Sequence, residues 1–177
     1  MLLLIDLQRA IDAPSSGSRN NLDAEARIAR VRAFWRAREW PVWHVCHDSR
    51  EPTAPYRPGQ PGNDFKPAFA PAAGEPVMVK RINSAFIGTD LEARLRAHGH
   101  SALVIAGINT NDSVEATVRT AGNLGFATFL LADGCFTIAR RDGRGIERSA
   151  EEVHAMSLAN LDGEYCTVTT TAALLSA

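Results

Sequence analysis

The segment Ala102-Leu103-Val104-Ile105-Ala106-Gly107-Ile108-Asn109-Thr110-Asn111-Asp112-Ser113 decides how this chain is read. Its first five residues form a nearly pure apolar run, the pattern of a strand at the centre of a parallel sheet, covered on both faces. A short turn, Gly107–Ser113, follows. Asp112 to Asn123 then reads as a helix, with Asn111 and Asp112 placed to cap its start. Strand, turn and helix in that order make the repeating unit of a parallel α/β sheet.

The alternation extends in both directions. Upstream, Leu2–Ile5 reads as a first strand and Asn21–Arg38 as a helix, with Leu22, Ala26, Ala29, Ala33 and Phe34 on its apolar face. Pro41 ends that helix, and Val42–Cys46 is a second strand. A proline- and glycine-rich stretch, Asp48–Pro76, is long enough to suggest a lid or an arm between subunits. Pro76–Val79 is a short strand, and Gly88–His98 a helix opened by Thr89-Asp90. Downstream, Ala127–Ala132 is a strand, Ala150–Asn160 a helix and Tyr165–Thr169 a last strand before a C-terminal helix. With no internal repeat or dividing linker, residues 1–177 are expected to form a single domain. Its fold class is α/β, a doubly wound (Rossmann-like) parallel sheet of about six strands with helices on both faces.

Bulk properties exclude several functions. Nineteen lysines and arginines face 20 aspartates and glutamates, and no basic tract or aromatic–basic interleaving occurs, which argues against a nucleic-acid partner. Asp6 cuts the apolar start far short of a membrane span, and no basic residue precedes it, so neither a membrane anchor nor a leader is expected. Cys46, Cys135 and Cys166 are odd in number and widely spaced, which argues against a disulfide framework and fits a reducing cytoplasm. No GxGxxG follows the first strand, so a dinucleotide site is not expected either.

In an open parallel sheet, ligands bind beyond the carboxyl ends of the strands. Asp6, Lys80 and Gly107–Ser113 each follow a strand, so the fold brings an acid, an amine and a hydroxyl to one edge. These residues sit in larger blocks: Leu4-Ile5-Asp6-Leu7-Gln8, Val79-Lys80-Arg81-Ile82-Asn83-Ser84-Ala85-Phe86, and Gly107 through Thr117. Taken in order, and continued by Ala121–Phe126 and Leu158–Glu164, the blocks resemble the motifs of the isochorismatase-like (cysteine hydrolase) superfamily over nearly the whole chain.

The resemblance implies a catalytic trio at Asp6, Lys80 and Ser113, with the backbone N–H groups of Asn109 and Ser113 as an oxyanion hole and a cis peptide at Ile108–Asn109. It also implies hydrolysis of a small-molecule amide, carbamoyl or related C–N bond without a cofactor, in a homo-oligomer (dimer or tetramer). Ser113 departs from the pattern, which places cysteine there. A hydroxyl does not ionise near neutrality and needs a base during attack. Three readings therefore stand open: a working serine nucleophile, a disabled or engineered replacement of cysteine that binds without turnover, and a vinyl-ether hydrolase using Asp6 as acid.

Other candidates surround the trio. Gln8, two residues past Asp6, faces the same way if the strand continues and is a candidate substrate contact. So are His47, at the carboxyl end of the second strand, and Phe86, as a pocket wall. Arg50, Tyr56 and Arg57 in the long loop could reach an anionic substrate. His44 and His47 lie three apart and would face opposite sides of a strand, so no metal is expected. His154 reads as a solvated or interface residue. Thr117 and Arg119 are expected to serve helix packing and surface, and the three cysteines read as core.

Overall fold

A computed structural model describes residues 1–13 and 18–176 of the chain. In order, the elements are β1 (Leu2–Ile5), α1 (Ala24–Arg36), β2 (Val42–His47), β3 (Val77–Lys80), α2 (Leu91–Ala97), β4 (Ala102–Ile108), α3 (Glu115–Asn123), β5 (Ala127–Phe136), β6 (Arg140–Arg141), β7 (Glu147–Arg148), α4 (Ala150–Leu161), β8 (Thr167–Thr169) and α5 (Thr171–Ser176). Six strands form one sheet in the order β3-β2-β1-β4-β5-β8, and every pair in it is parallel. The winding reverses between β1 and β4, and ligand crevices open at such a reversal.

Alternation along β1 sorts the core into two layers. Leu2 and Leu4 join Ile28, Val31 and Trp35 of α1, with α5 leaning on the same face through Leu174 and Leu175. Leu3 and Ile5 join Leu91 and Leu95 of α2, Val118 and Ala121 of α3, and Leu161 of α4. Helices therefore cover both faces, as the alternating pattern implies. On α1 the packed stripe is Ala24, Ile28, Val31 and Trp35, and it replaces the expected stripe, whose Leu22 is 77% exposed. Both stripes have helical spacing, but isoleucine, valine and tryptophan remove far more apolar area from water than three alanines do.

Several boundaries differ from expectation for a tertiary reason. β2 and β3 each run one residue further, because His47 pairs in register with Lys80. β4 and β5 extend to Ile108 and Phe136 across a register shift that pairs Gly107 with Cys135. A single π-type turn, Thr110–Val114, delays α3 to Glu115. Asn111 and Asp112 cap no helix; they bond to Thr137 and Arg140, respectively. The hairpin β6–β7, which the sequence reading missed, is closed by Asp142, whose Oδ1 accepts from the N–H groups of Arg144 and Ile146.

The 48–76 loop does not project as an arm. Leu7 O accepts from Lys66 N–H at 3.0 Å, Arg9 N–H donates to Asp64 O at 2.9 Å, and Gln8 bridges Phe65, so the loop lies back over the ends of β1 and β2. Its return into β3 is pinned by Glu75. That carboxylate receives two bonds from Arg36 (2.7 and 2.8 Å), one from Ala72 N–H (2.9 Å), and lies 2.7 Å from His44 Nε2. Burial pushes the Glu75 carboxyl up, but its donors outweigh burial and hold it at about 2.

Two outcomes follow from these contacts. Gly107 has φ +140°, and an added Cβ would overlap Ile5 O and stand 2.8 Å from Ile5 N. Gly107→Ala is expected to lower unfolding free energy by about 2–5 kcal/mol, combining strain and overpacking, as read by urea denaturation. Glu75→Gln is expected to cost about 2 kcal/mol or more at pH 7. A depressed carboxyl stabilises above its unfolded value of 4.5 and loses that contribution as pH falls towards 2, so the gap between variant and parent should close over this window.

Candidate active site

Lys80 ends β3 beside His47, and Asp6 follows the last residue of β1. The chain turns sharply at Asp6, which takes φ +53°, a region aspartate tolerates better than most residues, and its N–H donates to Val45 O at 2.9 Å. Lys80 is buried at 1% exposure. Its Nζ lies 2.7 Å from Asp6 Oδ2, 3.0 Å from Ser113 Oγ and 3.2 Å from His47 Nδ1. An ammonium has three protons, and each finds an acceptor here. Asp6 Oδ1 is buried and has no hydrogen-bond partner among the described residues.

The turn carrying Ser113 is built from its backbone outward. The Ile108–Asn109 peptide is cis. Asn109 O accepts from Asp112 N–H at 3.1 Å and Val114 N–H at 3.2 Å. Thr117 Oγ1 donates to Ser113 O at 2.6 Å and accepts from Ala85 N–H at 3.0 Å, tying the turn to the segment after β3. Asn109 N–H, just before the turn, donates no hydrogen bond among the described residues, and Ser113 N–H lies in the first turn of the helical segment. Asn109 and Ser113 both line the cavity beside Asp6, and Ser113 Oγ accepts from Lys80 Nζ.

Behind the turn lies a buried anchor that the sequence reading missed. His154 is not solvated but buried within the chain. Its Nδ1 lies 2.8 Å from Thr110 Oγ1 and its Nε2 3.4 Å from Asn21 Nδ2, while Asn21 also donates to Ala132 O and Cys135 O. Ser157 Oγ adds bonds to Thr110 O (3.2 Å) and Glu115 Oε2 (2.5 Å). Only the i, i+3 spacing of His154 and Ser157 on one helix face hinted at a shared target.

A cavity of about 160 Å³ opens here, walled by Asp6, His47, Tyr56, Asn109, Asp112 and Ser113. Tyr56 comes from the 48–76 loop and packs edge-on against His47, with ring centres 5.8 Å apart. Burial, then the adjacent Lys80 charge, lowers the His47 pKa and keeps the imidazole neutral. Burial, then Asp6, raises the Tyr56 phenol. A larger hollow of about 710 Å³ runs along α4 beside the β6–β7 hairpin, and its walls include neither Asp6 nor Ser113.

Some expected contacts lie elsewhere. Gln8 does not face substrate: β1 has already ended, and its amide donates to His47 O (3.1 Å) and Asn63 O (2.7 Å) while accepting from His47 N–H (2.7 Å). Phe86 is no pocket wall; it packs on Phe126 in the core. Arg57 is exposed and donates to Pro52 O, and Arg50 borders a separate depression with Arg81 and Ile82. His44 faces away from His47 towards Glu75, and among the described residues no three His, Cys, Asp or Glu side chains are grouped to hold a metal. All three cysteines are buried, and burial raises their thiols, Cys135 to about 12 and the others to about 11.

Comparison with known proteins agrees with this layout. The isochorismatase domain family matches residues 1–173. An uncharacterised isochorismatase family protein, YrdC of Bacillus subtilis, is 35% identical over 99% of this chain and 94% of its own length. The ureidoacrylate amidohydrolase RutB of Methylobacterium radiotolerans is 30% identical over 87% of this chain and 63% of its own. The crystal structure of an isochorismatase-family protein from Chromobacterium violaceum superimposes with a TM-score of 0.96 at 59% identity, covering 99% of this chain and 91% of that one. A family match across the whole sheet, with relatives aligned nearly end to end, establishes that this chain belongs to the isochorismatase family of hydrolases.

Proposed function

We propose that the protein hydrolyses a small amide, carbamoyl or related C–N bond, with Ser113 as nucleophile and no cofactor. The observation that carries this is the bridging position of Lys80 Nζ, 2.7 Å from Asp6 and 3.0 Å from Ser113 Oγ. Similarity to an amidohydrolase supports the choice of bond.

In this reading the substrate carbonyl enters the cavity beside Asp6. As Ser113 Oγ attacks, its proton passes to Asp6, whose unpartnered Oδ1 is the oxygen free to take it. Lys80 holds the hydroxyl in place, and as Asp6 is neutralised by the proton its ammonium charge is matched by the oxyanion forming on the substrate. The N–H groups of Asn109 and Ser113 receive the developing oxyanion, each contributing roughly 3–4 kcal/mol of transition-state stabilisation. Asp6 then returns the proton to the leaving nitrogen, and water repeats the cycle to release the acyl group. Neutral His47 and Tyr56 stand where they can hydrogen-bond the substrate without adding charge.

Turnover of a panel of primary amides and ureido acids by the parent protein, Ser113→Ala, Ser113→Cys and Asp6→Asn tests the roles. Ser113→Ala should lower kcat by about a thousandfold or more, and Asp6→Asn by about a hundredfold or more. Full activity in Ser113→Ala would sink the nucleophile assignment, and activity confined to Ser113→Cys would mark the chain as a disabled cysteine hydrolase.

The pH profile gives an independent reading. Because the His47 pKa is lowered, its neutral form persists below the ordinary value of 6.5. Any acid limb of kcat/KM belonging to His47 should lie below that value and disappear in His47→Asn. A limb above 6.5 that His47→Asn abolishes would contradict this assignment.

A further inference from the structure

A second cavity, of about 250 Å³, adjoins the reacting one, with Tyr56 and Asn109 lining both. Beyond those two residues it is walled by Ile11, Pro55, Phe136 and Ile138, with the Arg19 guanidinium at its border. Arg19 offers no free charge. It lies over the Phe136 ring at 3.9 Å, and its Nη2 pairs with Glu25 at 3.0 Å while donating to Leu22 O at 3.1 Å. In the reacting cavity itself the buried ammonium of Lys80 is matched by Asp6, and the wall residue Asp112 carries its own negative charge, paired outward to Arg140. Residues 14–17, which the structure does not describe, are Pro, Ser, Ser and Gly and bring no cation.

Among the described residues, the two cavities thus present apolar walls, neutral polar groups and charges that are each already paired, with no unpaired cation. A substrate carboxylate placed there would lose its water and gain no counter-charge, which is strongly unfavourable. Resting on the amide-hydrolase reading above, we infer that the second cavity is the acyl subsite and that the substrate is an uncharged primary amide with an aliphatic or aryl acyl group. Hemiamides of dicarboxylic acids and ureido acids are disfavoured.

Binding of propionamide, butyramide, hexanamide, benzamide and succinamate tests this. It is measured by titration calorimetry on Ser113→Ala and by the shift in thermal midpoint of the parent protein. Affinity should rise roughly fourfold per added methylene until the cavity is filled. Succinamate should bind at least tenfold more weakly than butyramide. Ile138→Lys, which adds a cation to the partly exposed wall, should shift the succinamate-to-butyramide ratio at least tenfold towards the acid. Tighter binding of succinamate than butyramide by the parent, or affinity that is flat along the series, overturns the inference. Turnover is scored separately. Neutral amides bound in this order but never cleaved would refute the hydrolase reading alone, and faster cleavage of the acidic amides would refute the subsite alone.

Discussion

Lys80 is a full positive charge held almost completely out of water. An ammonium in that position is tolerable only when its protons meet acceptors of adequate charge. Here the acceptors come from three separate strand ends: Asp6 after β1, His47 on β2, and Ser113 in the turn after β4. If any of these elements moved by an ångström or two, the charge would lose a partner. The arrangement therefore fixes the relative positions of β3, β2, β1 and β4 at their carboxyl ends, where the cavity lies.

The supporting contacts share that task. Glu75, with Arg36 and His44, pins the entry to β3 at the opposite end of the sheet from Lys80. Gly107 lets β4 approach Ile5 closely, which sets the spacing between Asp6 and the turn bearing Ser113. His154 and Ser157 reach from α4 to Thr110 and hold the turn from behind. Each contact joins residues far apart in the chain, so the reacting groups are positioned by the whole sheet and not by a local loop.

That same distance explains what the sequence revealed and what it hid. The strands were legible because each buried run is continuous, and Asp6, Lys80 and Ser113 were legible because their blocks retain their order and neighbours. Gln8 and Phe86 lay in the right blocks but misled. A two-residue period extends only as far as the strand does, and β1 stops at Ile5. Phe86 sits only a few residues past Lys80, yet its ring packs on Phe126, 40 residues away, a contact that local sequence cannot show. His154 gave no local sign of burial, since its partners Thr110 and Asn21 lie 44 and 133 residues away. The packed stripe of α1 was ambiguous because two helical stripes overlap there, and only the bulk of Ile28, Val31 and Trp35 separates them.

The burial of all three thiols also makes the protein's surface chemistry unusually quiet. Cys46, Cys135 and Cys166 are shielded, and each is shifted further from the thiolate form that alkylating agents and peroxide attack. A cysteine introduced at position 113 would stand beside the Lys80 ammonium, an environment that favours the thiolate. It would then be the one thiol open to electrophiles, and an iodoacetamide dye could mark the cavity stoichiometrically without any native cysteine being removed.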